Sequence, residues 1–317
     1  MEHLLPVVHR TPVKRSQTLE NIIGTEVYLK MENMQKTGSF KIRGATHKVF
    51  SLSEQERKQG IVAASAGNHA QGVAFAAAKK GIRARIFMPL HAPRTKVEAT
   101  QAYGAEVVLV GETYQEAYEA ALSEKATFVH AFDDPLVMAG QGTVAFELLQ
   151  QCPDLEMLIV PVGGGGLLAG TAIVAKSLKP SIQLIGVQAT GASAIYNRFC
   201  SKGPFSLKKI ESIADGILVK EPGRFTYPII QKYVDDMVTV SDEEIASAIL
   251  LMLEREKSLV EGAGAAALAA LLYRPLQTSN KTVGIVISGG NTDPQNIPLY
   301  MKLADRLTAH GGQASNI

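Results

Sequence analysis

Tryptophan is absent from this 317-residue chain, and aromatic residues make up only 6% of it. A platform for stacking nucleic-acid bases is therefore not expected. Charge of one sign is missing too: 32 basic and 30 acidic residues leave a formal +2, spread without long runs. That balance gives no footing for nucleic acid or an anionic membrane surface. No uninterrupted apolar run reaches the roughly 20 residues that a membrane span needs. The start, Met1-Glu2-His3-Leu4-Leu5-Pro6, has no basic region followed by an apolar stretch, so no secretory leader is expected. Cysteine is scarce as well. Cys152 and Cys200 lie far apart without metal-ligand spacing, and they read as free thiols in a reducing, cytoplasmic compartment.

What is present is a soluble globular composition, 46% hydrophobic and 20% charged, in a chain long enough for two domains. Short apolar runs alternate with Ala-rich amphipathic stretches. Strands are expected at Val27–Met31, Ile61–Ala64, Ala84–Met88, Glu106–Val110, Thr127–Val129, Met157–Val160, Gln183–Val187 and Val283–Ile287. Helices are expected between them at His69–Lys80, Ala92–Tyr103, Tyr114–Glu124, Pro135–Gln150 and Leu167–Lys179, and later at Asp242–Lys257 and Gly264–Leu272. The alternation predicts an α/β fold, with parallel sheets covered by helices on both faces. Ser53-Glu54-Gln55-Glu56 and Ser241-Asp242-Glu243-Glu244 fit capping boxes. Residues 196–230, rich in Gly, Pro, Lys and Ser, are the least regular stretch and could flank a site.

Three strand-to-helix turns carry candidate chemistry, and a fourth stretch ends the last strand. Lys36-Thr37-Gly38-Ser39-Phe40-Lys41-Ile42-Arg43-Gly44-Ala45 places a lysine where a pocket could desolvate it and make it a usable amine. Alone, it would be an ordinary surface lysine. Gly163-Gly164-Gly165-Gly166, between a strand and a helix, leaves bare N–H groups at a helix N-terminus, a phosphate cradle. A dinucleotide site competes for this loop through Gly164-x-Gly166-x-x-Ala169. It is disfavoured because the next strand ends in Gln188-Ala189-Thr190, with no carboxylate for a ribose. Ser65-Ala66-Gly67-Asn68-His69 could hold a carboxylate on its amides, with His69 structural; a bland N-cap turn is an equal reading. Ser288, in Ser288-Gly289-Gly290-Asn291, ends the last strand on the side where ligands collect. Glu261, in Val260-Glu261-Gly262-Ala263-Gly264, reads first as the cap of the following helix and second as a residue supporting the site from behind.

Taken together, these four stretches resemble one family, the serine/threonine dehydratases. These are pyridoxal-phosphate enzymes of fold type II, like the tryptophan synthase β chain. The resemblance runs from about Arg10 to about Ala304. It implies that Lys41 forms the Schiff base with pyridoxal 5'-phosphate and that Phe40 flanks the ring. Asn68 would meet the ring hydroxyl, Gly163 to Gly166 with Leu167 would hold the phosphate, and Ser288 would face the pyridine nitrogen and leave it largely unprotonated. Ser65, Ala66, Gly67, Asn68 and His69 would receive the carboxylate of a small amino-acid substrate.

The implied reaction is β-elimination from L-threonine to 2-oxobutanoate and ammonia, with L-serine giving pyruvate. Serine racemases carry a second serine where Ala66 stands, so racemisation is disfavoured. Metal-binding members place two carboxylates and a backbone carbonyl in the loop where Gln188, Ala192 and Ala194 stand, so no metal is expected there. The chain ends soon after its last sheet element, which implies a short, catabolic-type enzyme without a regulatory domain. Residues 1–45 and 140–317 are expected to form a large cofactor domain and 46–139 a small one. A homo-oligomer, dimer or tetramer, is expected. A serine or hydroxyaspartate dehydratase, a racemase, and a non-catalytic phosphate-ligand-binding relative are the alternatives.

Overall fold

The computed structural model describes residues 4–309; Met1–His3, part of the stretch read for a leader, lie outside them. The chain opens with β1 (Val13–Arg15), α1 (Gln17–Ile23), β2 (Val27–Met31), α2 (Lys41–Phe50) and α3 (Glu54–Gln59). It continues through β3 (Ile61–Ala64), α4 (Asn68–Lys80), β4 (Ala84–Met88), α5 (Arg94–Ala102), β5 (Glu106–Leu109), α6 (Tyr114–Leu122) and β6 (Thr127–Phe128). Next come α7 (Pro135–Gln151), β7 (Met157–Pro161), α8 (Gly166–Leu178), β8 (Gln183–Ala189) and α9 (Ala194–Phe199). The last elements are α10 (Thr226–Tyr233), β9 (Asp236–Val240), α11 (Asp242–Glu254), α12 (Gly262–Tyr273), β10 (Val283–Ile287) and α13 (Ile297–Ala309).

Two sheets result. The six-stranded one has the order β1-β2-β10-β7-β8-β9, and the four-stranded one β5-β4-β3-β6. Every pairing is parallel except β1 with β2, an antiparallel strand on the edge. That edge strand departs from the expected all-parallel pattern. Its second and third residues, Lys14 and Arg15, are exposed, so it shows no apolar run to read. β9 is likewise not among the expected strands, because Asp235 and Asp236 break the hydrophobic signal at its start.

The larger sheet is coated on one side by α12, whose small apolar residues are buried on every side from Gly262 to Leu271. A helix without a polar face has to lie inside the protein, and this one joins β2, β7, β8 and β10 in the main core. A second core, under α7, α8 and α10, covers the other side of the sheet. Capping boxes form at Ser53–Glu56 and Ser241–Glu244, as the sequence predicts, and a third forms at Thr113–Glu116. α2 packs against α4 closely enough that a Cβ on Gly72 would stand 3.1 Å from the Lys41 carbonyl carbon. The first turn of α2 is thereby held between elements of the two sheets. Among the described residues, no helix is long and apolar enough to cross a membrane.

Candidate active site

The four chemistry-bearing stretches all leave the carboxyl ends of parallel strands, where open α/β sheets place their ligands. The loop before α2 is tied to the end of β10. Phe40 N–H donates to the Ser288 carbonyl at 3.1 Å, and Ser39 forms a bridge with Gly289. Lys41 therefore starts its helix at a fixed place. Its Nζ donates to the Ala131 carbonyl at 2.8 Å and stands 5.4 Å from the Phe40 ring centroid. Burial pushes its pKa down to about 8, opposed only by the charge of Glu261. An ammonium held by one neutral carbonyl gives up its proton far more readily than a paired one.

The glycine loop has a built-in polarity. Gln188 Nε2 donates to Gly163 O at 3.3 Å, and Thr226 Oγ1 donates to Gly164 O at 2.7 Å. Because the peptide unit is planar and trans, the N–H groups of Gly164 and Gly165 face the opposite way. Gly165 caps α8 with φ +95, a conformation that favours glycine. A Cβ on Gly164 would stand 2.4 Å from the Phe132 ring. Leu167, in the first turn of α8, points instead into the core that Phe40 also touches. The loop and helix end together can seat an anion.

The Ser65–Gly67 turn joins β3 to α4. Ser65 Oγ accepts from Gly67 N–H at 3.1 Å, Ala66 packs against the core of the smaller sheet, and the Gly67 α-carbon borders open space. The first N–H groups of α4, from Asn68 onward, point out of the helix end. His69 turns away from this opening. It is buried, its Nε2 donates to the Val129 carbonyl at 2.8 Å, and burial holds its pKa down to about 3. Its ring therefore faces Val129 and not the turn's opening.

Asn68 is the link across the cleft. Its Nδ2 donates to Glu261 Oε1 at 2.7 Å, and its Oδ1 accepts from Asn291 Nδ2 at 2.7 Å. The reading of Glu261 as a helix cap is overturned. It occupies the N-cap position of α12, but its side chain makes no capping bond and reaches Asn68 instead. A short Ser or Asp side chain curls back onto its own helix; the longer Glu chain is free to cross.

Ser288 is buried at the end of β10 and donates to the Ala263 carbonyl at 3.2 Å. Gln188 is buried, with Tyr196 N–H donating to its Oε1 at 2.8 Å, and Ala192 and Ala194 are buried too. Among the described residues, no group of three His, Cys, Asp or Glu side chains could hold a metal ion.

Residues 4–289 match the family model described as pyridoxal-phosphate dependent enzyme. The chain belongs to that family. Its cofactor is pyridoxal phosphate, and its α/β architecture is that of fold type II. An L-threonine ammonia-lyase of Thermotoga maritima is 52% identical over 291 residues, 90% of this chain and 72% of that protein. The catabolic L-threonine dehydratase TdcB of Escherichia coli K12 is 44% identical over 293 residues, 90% of this chain and 89% of that protein. Among solved structures, the processed threonine deaminase isoform 2 of Solanum lycopersicum superposes with TM-score 0.90 at 34% identity, covering 94% of this chain and 89% of that one. A maize serine racemase reaches 0.89 at 34% identity, covering 98% and 96%.

The sequence reading missed the wall opposite Lys41. His130 Nδ1 accepts from the N–H groups of Phe132 and Asp133, at 3.2 and 2.8 Å, and shapes the turn that offers the Ala131 carbonyl to Lys41 and the Phe132 ring to Gly164. Asp133 then accepts from Arg224, Phe225 and Thr226 N–H, bringing the irregular 196–230 stretch to the site. His130-Ala131-Phe132-Asp133-Asp134 sits between a strand and Pro135, which marks a turn but not a target.

Proposed function

We propose that this enzyme is an ammonia-lyase that eliminates water from L-threonine, giving 2-oxobutanoate and ammonia, and that it also converts L-serine to pyruvate. One observation carries the reading: Lys41 is a desolvated amine at the cleft, with a neutral carbonyl as its hydrogen-bond partner. Bound pyridoxal phosphate supplies the electron sink that acidifies the substrate α-carbon. Support for its fit comes from the amine of Lys41, the Gly163 to Gly166 loop with the N–H groups of Gly164 and Gly165 turned one way, the α8 terminus, and the buried hydroxyl of Ser288. The Ser288 proton, now on the Ala263 carbonyl, would turn to the pyridine nitrogen.

Phe40 and Leu167 fix the walls beside these groups, and Asn68 offers an amide N–H to the ring hydroxyl. The Ser65-Ala66-Gly67-Asn68-His69 turn is the proposed seat for the substrate carboxylate; the Ser65 N–H is held by the Phe87 carbonyl and the Gly67 N–H by Ser65 Oγ, so the Ser65 hydroxyl and the N–H groups of Ala66, Asn68 and His69 would make the contacts. Lys41, as a neutral amine, takes the α-proton. The β-carbon–oxygen bond then breaks, and the hydroxyl leaves as water with a proton that the Lys41 ammonium gives back, which returns Lys41 to the neutral amine. The released amino-alkene tautomerises, and water displaces ammonia to leave the 2-oxo acid. Ala66 argues against a racemase, since a methyl group has no proton to deliver to the opposite face.

Around this site, the reading places a small domain at 46–139 and a large one at 1–45 and 140–317, in a cytoplasmic homo-oligomer, dimer or tetramer. Both cysteines are free, in keeping with a reducing compartment. The test is 2-oxo acid release from L-threonine and L-serine by the parent and by Lys41→Ala. The parent is expected to release 2-oxobutanoate and the variant none. Product from the variant at the parent's rate would end the assignment.

A further inference from the structure

We infer that Glu261 is a positioning residue of this reaction: it acts through Asn68, fixing which end of that amide meets the cleft and keeping a carboxyl group beside it. The inference rests on the function proposed above and goes beyond it, because Glu261 belongs to none of the four stretches that define the site.

One group in this network has no choice of role. The Thr37 carbonyl can only accept, and Asn291 Nδ2 donates to it at 2.7 Å. The same Asn291 nitrogen donates its other proton to Asn68 Oδ1 at 2.7 Å. Asn68 therefore presents its nitrogen on the remaining side, where Glu261 Oε1 accepts at 2.7 Å. One N–H of Asn68 is left over as a donor to the cleft. Donation thus runs outward from Asn291, one way to the Thr37 carbonyl and the other way through Asn68 to Glu261, which is the terminal acceptor of that branch.

The surroundings are shaped for this carboxyl. Glu261 is buried, although it stands at a helix N-cap where a solvated side chain is ordinary. A Cβ on Gly289 would lie 2.3 Å from Oε1, so the loop that ends β10 leaves room for it. The charged groups facing it are Asp215 in the 3-10 turn Asp215–Ile217, Lys96 of α5 and Lys41 of α2. Lys96 and Asp215 pair with each other at 2.8 Å. Burial, reinforced by Asp215, raises the Glu261 pKa to about 8. The carboxyl thus holds its proton below about pH 8 and releases it above, in the range where Lys41 changes state.

The experiment compares parent, Glu261→Ala and Glu261→Gln as purified holoenzymes. It reads the cofactor dissociation constant, the cofactor absorbance between pH 6.5 and 9.5 (a window of about 1.5 units either side of the raised value), and turnover of L-threonine. Glu261→Gln keeps a carbonyl for Asn68 but has no proton to lose. It is expected to bind cofactor like the parent and to lack the absorbance change centred near pH 8. Glu261→Ala removes the acceptor as well, and its dissociation constant should rise about tenfold or more. If Glu261→Ala does not fold, the Glu261→Gln titration decides. Parent-like titration in Glu261→Gln together with parent-like affinity in any folded Glu261→Ala overturns the inference alone. A parent that neither shows cofactor absorbance nor turns over threonine overturns the proposed function with it.

Discussion

Two cationic side chains, Arg43 fully buried and Lys41 half-buried at the cleft, sit two residues apart on one helix and do opposite things. Arg43 points away from the cleft into a closed ionic cluster. Its guanidinium meets Glu32 at 2.7 Å and Glu147 at 2.7 and 2.8 Å, and Lys30 adds a contact to Glu147 at 2.8 Å. All four side chains are essentially inaccessible to water. Burial works against the Arg43 charge, but the two carboxylates outweigh it and hold the group protonated. Lys41, one turn-half away on the other side of α2, has a carbonyl in place of carboxylates, and burial acts on it almost unopposed. Burial with partners makes a fixed structural charge; burial without them makes a base.

The largest expected effect of breaking that contrast lies in the cleft. Lys41→Ala should lower kcat by roughly 10³-fold or more, the scale of a lost proton-transfer group, with the melting temperature close to the parent's. On the cluster side, Arg43→Met strands Glu32 and part of Glu147. It should cost about 3–5 kcal/mol of folding stability in urea titrations, an effect seen in the apoprotein too. If Arg43→Met were as stable as the parent, the cluster would not be the clamp that holds the start of α2.

The same contrast explains what was legible in the sequence. The apolar runs that became β2, β3, β4, β7 and β10 announce themselves, because a strand buried on both faces carries few polar residues to blur it; Lys30 in β2 and Arg85 in β4 are the exceptions. The motifs around Lys41, Ser65–His69, Gly163–Gly166 and Ser288 are local, so each shows in a short window. What was not legible depends on long-range pairing. Glu261 looks like a cap until Asn68, 193 positions away in sequence, comes into reach. The Ala131 carbonyl gives no signal at all, since every residue has one. Nothing in the sequence marks Arg43 and Glu147 as a buried pair, because a helix pattern does not reveal that the face opposite the cleft is covered as well.

A smaller effect is expected where a charge pair crosses the cleft in solvent. Lys96 and Asp215 join α5 to the turn that borders the glycine loop, and their side chains are 36% and 55% exposed. Lys96→Ala should change stability by less than about 1 kcal/mol, measured by urea titration, and the change should shrink further in high salt. A large loss would mean that this exposed pair behaves like the Arg43 cluster.

The most direct test of the account is the pH dependence with which apoprotein captures pyridoxal phosphate, followed by absorbance, with Lys41→Ala as the blank. Only the neutral amine reacts, so the rate should rise with pH and level off above about 8, the value to which burial brings Lys41. A rate that keeps climbing past pH 10, as for an ordinary lysine, would contradict the claim that the cleft makes Lys41 a base.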